Sequence, residues 1–454
     1  MLKKEKIIRI VSIVFISIAT LYYGTRVVYY YLEANGGLNF LNKGKKQYTI
    51  AEKIIAKKNV VNLDIGLNKT EDGGFVFVGK VDNNFLNYNG QLWRVMSIDS
   101  DNNLTLVLDT PITALRQNGD YQESSVLKWL NDPESGVFIK IFEKPNQLMN
   151  NFVCTDSVAV DDVEKGSYAC GVYDNSMKIG ILDIEQYLSA GATGSYLNSG
   201  YNFWLANKAD EENYWFVSHK GGLNYQGSSE MVLGIKPTIT ISGSELLLSG
   251  KGTDVEPYYI EDKKITKLKD AMIGDYVQFS DSLWKIVSIE DERIKLVADG
   301  YVDGAVYPFS NGKGTYSLTD QDNIGYFLNT TFLDSLSDKE LIVEGLWNNG
   351  GYSNDNKYDY TKISDRQIKA KVGMLNIADL YLLDYASVYT MTKNIDYLTN
   401  QTLYIVTESF TLFEDNPISV HKIRPAVYIN ANTLVSDGLG SMVEPYLIGG
   451  GTNE

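Results

Sequence analysis

The sequence predicts an α+β protein in which an N-terminal transmembrane helix precedes two tandem copies of a mainly antiparallel β domain with two short helices. Three observations lead to this prediction: an uncharged apolar run near the N-terminus, a long internal repeat, and short strand-like runs between turn formers. The predicted boundaries are residues 1–32 for a cytoplasmic tip and transmembrane signal-anchor, 33–69 for a stalk with a short helix, 70–262 for the first repeat domain and 263–454 for the second.

Length, composition and charge agree with a folded protein of more than one domain. The chain has 454 residues, of which 44% are hydrophobic and 22% charged. Single cores stop growing near about 250 to 300 residues, so two domains fit this length. The formal net charge of −16 repels phosphate backbones. We therefore expect no nucleic acid as a partner.

The predicted anchor is an uncharged run at residues 10–25, between Arg9 and Arg26. As a helix rising about 1.5 Å per residue, it covers most of a hydrocarbon core of about 30 Å. Four basic residues lie within residues 3–9, and this bias places the N-terminus in the cytoplasm. A cleaved secretory signal is the alternative, but no small-x-small cleavage site follows the run. In either case the rest of the chain is exported.

Two local signals lie beyond the anchor. The stalk contains the capping box of Thr49 and Glu52, which predicts a short helix running to about Lys58. Cys154 and Cys170 are the only cysteines. In an oxidising exterior they predict a disulfide that closes a polar loop, and the alternative is two unpaired thiols.

The internal repeat is the strongest signal in the sequence. Four blocks recur in the same order at offsets of 188 to 193 residues, for example 284 − 93 = 191 between two tryptophans. The blocks are residues 92–98 (LWRVMSI) and 283–289 (LWKIVSI), 178–184 (KIGILDI) and 371–377 (KVGMLNI), 235–237 (IKP) and 423–425 (IRP), and 256–258 and 444–446 (both EPY). This period is too long for a solenoid, so each copy is a domain.

Each copy has the same predicted order of strands, helices and strands. In the first copy, residues 85–98 and 104–108 predict a hairpin around the polar loop 99–103. A helix is predicted to start at Ser124 and a second to occupy residues 184–188, with a counterpart at 377–382 in the second copy. We expect short strands to close each copy, Trp93 and Trp284 to pack in the cores, and Pro237 and Pro425 to mark a strand start or edge.

These blocks resemble a family of largely uncharacterised, membrane-anchored surface proteins of Gram-positive bacteria with a tandemly repeated domain. The resemblance covers almost all of residues 74–450. The closing pattern at residues 234–241 is also similar to the end of C-type-lectin-like or formylglycine-generating-enzyme-like folds, which implies a fold and no activity. The sequence departs from the calcium-dependent lectin site, to which residues 347–349 are a near miss, and it lacks a cysteine pair in the closing region.

The sequence contains no recognisable catalytic motif and predicts no cofactor or metal site. Six aromatic residues cluster in one stretch of the first copy, and those that face solvent are the candidate binding surface. They are Tyr201, Phe203, Trp204, Tyr214, Trp215 and Tyr225. Carboxylates are plentiful, so a pair acting as acid and base is an open alternative.

We therefore expect an extracytoplasmic binding or adhesion protein, held as a single-pass protein of the cell membrane with the bulk of the chain outside. The membrane is one partner, through the N-terminal helix, and the expected ligand is a cell-wall polymer, a glycan or a surface protein. The alternatives are a cell-envelope hydrolase that uses clustered carboxylates and a structural subunit of an envelope assembly.

Overall fold

The apolar residues of this chain recur over short runs that suit strands, and sheet predominates in the structure. The computed structural model describes residues 47–56, 59–62, 64–119, 124–134, 136–142, 145–261, 264–353, 362–379, 388–396, 402–407 and 412–448. Within these residues the protein is mostly β-sheet with a few short helices, in agreement with the predicted mainly antiparallel β content. Residues from Thr49 onward form one compact unit.

The elements are short throughout. The α-helices are α1 Ile50–Ile54, α2 Ser125–Asn131, α3 Val160–Glu164, α4 Ile184–Ser189, α5 Ile324–Phe327 and α6 Leu333–Ser335. The strands of the first half are β1 Val60–Val61, β2 Gly66–Lys69, β3 Phe75–Val78, β4 Phe85–Tyr88, β5 Gln91–Ile98, β6 Asn103–Leu108, β7 Thr113–Leu115, β8 Val153–Cys154, β9 Tyr173–Asp174, β10 Ile179–Ile181, β11 Phe203–Lys208, β12 Asn213–Val217, β13 Leu223–Ser228, β14 Leu233–Ile235, β15 Pro237–Ser242 and β16 Tyr258–Tyr259. Those of the second half are β17 Tyr276–Phe279, β18 Ser282–Ile289, β19 Arg293–Ala298, β20 Tyr307–Pro308, β21 Ile342–Val343, β22 Gly345–Asn348, β23 Gly351–Tyr352, β24 Gln367–Ala370, β25 Val372–Met374, β26 Val388–Asn394, β27 Leu403–Val406, β28 Leu412–Asp415, β29 Val420–His421, β30 Pro425–Asn430 and β31 Tyr446–Leu447.

The large sheets of the two halves share a strand order. In the first half β16-β4-β5-β6-β15-β10 are neighbours, and in the second half β31-β17-β18-β19-β30-β25 are neighbours. In both halves the outermost closing strand pairs in parallel, β16 with β4 and β31 with β17. The remaining pairs of both runs are antiparallel. Smaller sheets, of which β13-β12-β11-β14-β7 is the longest described, complete each half.

Matched core residues lie at matched positions in these sheets. Trp93 and Trp284 are both fully buried, as predicted. Each indole N–H donates at 3.0 Å to the carbonyl oxygen five residues earlier, that of Tyr88 and that of Phe279 respectively. The two prolines predicted as strand starts begin β15 and β30. They fit there because the first position of a strand does not require an N–H donor.

The last part of the predicted stalk, residues 49–69, packs into the first half. The capping box is present, because Glu52 N donates to Thr49 Oγ1 (3.1 Å) and Thr49 N donates to Glu52 Oε2 (3.0 Å). Helix α1 ends at Ile54, before the predicted end at Lys58. Its apolar face is buried, and β1 and β2 extend the large sheet, so burial holds this segment against the body.

This segment also has a counterpart in the second half. Ile50 N donates to Glu245 O (2.8 Å), and Leu268 N donates to Thr433 O (3.0 Å). The two acceptors are separated by 433 − 245 = 188 residues, which is an offset of the sequence repeat. The two halves therefore correspond from Thr49 onward. Strands β1, β2 and β3 are additional strands of the first half.

The run of residues 85–98, predicted as one arm of a hairpin, is two strands. Asn89 and Gly90 have φ of 49° and 71°, and they form the two-residue turn between β4 and β5. The equivalent residues Ser280 and Asp281 have φ of 48° and 59°. Two consecutive positive φ angles match the right-handed twist of paired strands. The predicted hairpin around residues 99–103 is present as β5 and β6.

Helix starts follow the predicted signals. Ser124 caps α2 by accepting a hydrogen bond from Leu127 N (3.2 Å), and Asp183 caps α4, which occupies the predicted position. Of the counterpart predicted at residues 377–382, residues 377–379 form a turn and the rest lie outside the described residues. The predicted membrane span, residues 10–25, also lies outside them. Among the described residues, no helix is long and apolar enough to cross a membrane.

Candidate functional site

A buried carboxylate lies between two cations at the end of β6. Asp109 follows this strand, and its backbone N–H donates to Leu92 O on β5 (3.0 Å). Arg94 Nε lies 3.9 Å from Asp109 Oδ1, and Arg94 Nη2 donates to Val81 O (2.6 Å). The guanidinium carbon is 3.7 Å from the centroid of the Phe85 ring, so the cation is held by a carbonyl and an aromatic face as well as by the carboxylate.

Lys236 is the second cation, and its side chain is completely buried. Its Nζ donates to Leu197 O (2.9 Å) and lies 5.2 Å from the centroid of the Phe203 ring. Burial lowers the pKa of Lys236 to about 7, although the charge of Asp109 acts in the opposite direction. Burial likewise raises the pKa of Asp109, and Lys236 and Arg94 limit that rise.

The second half contains an equivalent cluster. Asp299 N donates to Leu283 O (2.8 Å), which is the counterpart of the bond between Asp109 and Leu92. Arg424 Nη2 lies 3.4 Å from Asp299 Oδ1, and Arg424 Nε donates to Ala298 O (2.6 Å). Burial raises the pKa of Asp299, while Arg424 and then Lys285 lower it. Both clusters therefore consist of one aspartate and two basic residues at equivalent positions in the two halves.

The two clusters meet at one cavity of about 420 Å³, which we call the cleft. Residues of the first half that line it include Gln91, Asp109, Thr110 and Tyr201, and residues of the second half include Tyr276, Lys285, Asp299, Tyr301, Arg424 and Met442. The walls thus carry two carboxylates, two cations and three tyrosines. Such walls suit a polar ligand that offers hydroxyl groups and flat apolar faces.

Two glycines let the halves approach each other beside the cleft. Gln91 Nε2 donates to Ile273 O at 2.5 Å. A Cβ on Gly90 would lie 2.5 Å from the same oxygen, and a Cβ on Gly274 would lie 2.4 Å from Gly90 O. Because both glycines also have positive φ, no larger residue fits without strain.

The six aromatic residues predicted as a binding surface are mostly core residues. Tyr201, Phe203, Trp204, Tyr214 and Trp215 are each at most 3% exposed, whereas Tyr225 is 43% exposed. The two indoles anchor backbone, since Trp204 Nε1 donates to Leu115 O (2.8 Å) and Trp215 Nε1 donates to Val158 O (2.7 Å). Tyr201 lines the cleft despite its burial, so it is the member of the six that reaches this site.

The predicted disulfide between Cys154 and Cys170 is confirmed, with a Cα–Cα distance of 5.8 Å. Asp156 braces the same loop by accepting from Gly171 N (2.6 Å) and Val172 N (3.0 Å). Asp156 lies close to both sulfur atoms, but disulfide sulfurs are not thiolates and do not act as metal ligands.

The charged residues of the cleft were not predicted from the sequence, although a signal for them is present. The repeated blocks carry a basic residue after each tryptophan, Arg94 and Lys285, and before each proline, Lys236 and Arg424. The two aspartates recur at an offset of 299 − 109 = 190 residues. Charges repeated within otherwise apolar strand blocks indicate a buried or functional role.

Comparisons with known protein families, with curated proteins and with solved structures find no match.

Proposed function

We propose that this protein is a membrane-anchored, extracytoplasmic binding protein and that the cleft is its recognition site for a hydroxyl-rich polymer of the cell envelope, such as a wall polymer or glycan. The observation that carries the proposal is the composition of the cleft, whose walls come from both halves. A ligand held there contacts both repeats at once, so the repeats act as one binding unit.

The chemistry of the walls supports a sugar-containing ligand. Hydroxyl groups can donate to Asp109 and Asp299 and accept from Lys285 and Arg424, and the apolar face of a sugar ring can pack on the tyrosines. The formal net charge of −16 repels a polyanion at long range. We therefore propose a ligand that is neutral, zwitterionic or basic overall.

We also propose that the two halves are tandem copies of one domain and that an N-terminal helix anchors them. The shared strand order and the equivalent tryptophan hydrogen bonds support a tandem duplication of one domain. The closing pattern of residues 234–241 favours a C-type-lectin-like fold for each copy. Residues 10–25 are the proposed membrane anchor, and the disulfide supports an oxidising exterior.

A hydrolase of envelope polymers is the second candidate function. Asp109 and Asp299 line the same cavity, and burial raises the pKa of both. A carboxylic acid with a raised pKa beside a second carboxylate is the arrangement that glycoside hydrolysis requires. The basic neighbours of each aspartate oppose this role, because they stabilise the charged form. Binding is therefore the leading proposal.

One experiment separates these functions. Purified full-length protein is applied to a glycan array and to insoluble cell wall, and bound protein and released sugars are both measured. We expect saturable binding without released product. Asp299→Asn combined with Lys285→Met weakens binding at least tenfold, while Asp101→Asn, at an exposed loop residue, serves as the control. If the wild type releases sugars and Asp299→Asn does not, the protein is a hydrolase. If the wild type shows no binding and releases no sugars, both proposals are overturned.

A further inference from the structure

The first half has a second cavity of about 250 Å³ that is separate from the cleft and shares no lining residue with it. We call it the side pocket. It lies among β3, β5, β6, the disulfide-linked loop and α4. Its lining includes Thr105, Phe152, Tyr173, Glu185, Gln186 and Tyr196.

Aromatic and carboxylate groups form one wall of the side pocket. Phe152 and Tyr173 are about half exposed (57% and 48%). Phe152 precedes β8, which contains Cys154, and Tyr173 begins β9, three residues after Cys170. Tyr173 OH donates to Glu185 Oε2 (2.9 Å), and Cys170 N donates to the same oxygen (2.9 Å). Glu185 is thereby oriented, and a carboxylate with two oxygens can accept further hydrogen bonds.

Tyr196 lines the same space, and its hydroxyl oxygen is buried. Tyr196 is 7% exposed, and its hydroxyl oxygen has no hydrogen-bond partner among the described residues. Leaving a buried hydroxyl without a partner costs about 1 to 3 kcal/mol, so such a group is a natural point of attachment for a polar ligand. The side pocket therefore combines the Tyr173 ring, on which a ligand can stack, with the Glu185 carboxylate as an acceptor and the buried Tyr196 hydroxyl as a donor.

The second half has side chains in the equivalent place. The strand registers make Thr105 equivalent to Lys295, since each lies opposite the equivalent residue of the closing strand, Thr240 or Tyr428. Lys295 Nζ donates to Asp379 Oδ1 (2.9 Å), and Asp379 is the counterpart of Gln186 at an offset of 379 − 186 = 193 residues. A short threonine and a neutral glutamine are thus replaced by a buried ion pair.

Two aromatic rings occupy the rest of the equivalent space in the second half. Lys295 Nζ lies 5.6 Å from the Trp347 ring and 5.7 Å from the Tyr428 ring, and the two rings are 4.8 Å apart. A Cβ on Gly345 would lie 2.0 Å from the Tyr428 ring, so a glycine leaves room for that ring. The same position of one fold therefore holds a cavity in the first half and a packed cluster in the second.

From these differences we infer that the side pocket binds one neutral sugar ring and that only the first half has this site. A sugar face stacks on Tyr173, and hydroxyl groups bond to Glu185 and to the Tyr196 hydroxyl. Among the described residues, no lysine or arginine lines the side pocket and Glu185 contributes a carboxyl group, so an acidic sugar is disfavoured. The volume lies below the range of about 300 to 1,000 Å³ typical of larger ligands, which fits a single ring. This inference does not depend on the function proposed for the cleft.

The test is saturation-transfer difference NMR on the full-length protein with glucose, galactose, N-acetylglucosamine and glucuronic acid as probes. We expect saturable signals from at least one of the three neutral sugars and none from glucuronic acid. Thr105→Lys combined with Gln186→Asp introduces the ion pair of the second half, and we expect at least a tenfold loss of affinity. Lys295→Thr combined with Asp379→Gln is the matched control and leaves affinity unchanged.

Further variants keep the test decisive. If the double substitution at Thr105 and Gln186 disturbs folding, as judged by circular dichroism, Tyr173→Ser and Glu185→Gln replace it, and each is expected to weaken binding at least tenfold. Asp299→Asn, in the cleft, is expected to leave the saturation-transfer signal unchanged. Loss of the signal in that variant would assign the sugar to the cleft and overturn the inference. Absence of any saturable signal in the wild type, or equal binding by a folded variant with the filled pocket, overturns it as well.

Discussion

Asp109 and Asp299 occupy equivalent positions at the ends of β6 and β19, and both line one cavity whose walls come from the two halves. Here the halves are packed so that two equivalent carboxylates share one space. This relationship is the basis of the proposal that the repeats form one recognition site.

The approach of the two halves depends on Gly90. Gly90→Ala places a Cβ 2.5 Å from Ile273 O and keeps a positive φ. Gly166→Ala has nearly the same φ, 73°, with no atom within 4 Å. We expect the control to lose about 1 to 2 kcal/mol of stability from backbone strain and Gly90→Ala to lose about 1 to 3 kcal/mol more from the clash. Urea unfolding measures both, and equal losses would show that the halves do not pack here.

The buried amine of Lys236 predicts a pH dependence of stability. Its pKa falls from 10.5 to about 7 on folding, so between these values the unfolded chain binds more protons than the folded one. Stability attributable to this residue therefore rises with pH across that window, by at most about 1.4 kcal/mol per pH unit. Lys236→Met removes this slope. Urea midpoints from pH 7 to 9.5 measure the slope. Identical slopes in the wild type and in Lys236→Met would contradict a lowered pKa of Lys236.

The ion pair of Lys295 and Asp379 predicts non-additive mutations. Both side chains are about nine-tenths buried. Asp379→Asn alone leaves a buried cation without its charge partner and is expected to cost about 3 to 5 kcal/mol. Lys295→Thr combined with Asp379→Gln copies the first half and is expected to cost much less. A double-mutant cycle by urea unfolding gives the coupling, and additive losses would contradict a buried pair.

The disulfide predicts a redox dependence confined to the first half. Removing it by Cys154→Ala and Cys170→Ala is expected to cost about 3 kcal/mol, as for other loops of about 15 residues. The wild type in reductant should lose the same amount, because the described second half contains no cysteine. The double variant should be insensitive to reductant. A wild type that keeps its full stability in reductant, with the bridge shown to be reduced, would refute the structural role of the bridge.

Sequence signals that are local to a few residues predicted the structure well. The capping residues Thr49 and Ser124 and the tryptophans at matched strand positions depend on neighbours within one strand or turn. The cysteine pair was predicted because the sequence contains only two cysteines. The turn at Asn89 and Gly90 was missed although this dipeptide is a strong hairpin signal. The long apolar run around it suggested a continuous strand.

The sites could not be predicted because they depend on contacts between distant segments. The aromatic stretch suggested a surface, since an ordinary strand exposes alternate residues. Strand β11 is instead buried on both faces over its first five residues, so the rings of Phe203 and Trp204 are core. Lys285 and Arg424 of the second half line the same cavity as Asp109 and Tyr201 of the first, and this depends on how the two halves pack.

The most direct test of a shared binding cleft is methionine oxidation in the presence of ligand. Met442 lines the cleft and is 56% exposed, whereas Met149 lies outside it and is 36% exposed. The full-length protein is oxidised with dilute peroxide, with and without a saturating amount of the glycan selected on the array, and mass spectrometry gives each rate. We predict that the glycan slows oxidation of Met442 at least threefold and leaves Met149 unchanged. Equal rates for Met442 in the free and saturated protein would contradict a ligand site between the two halves.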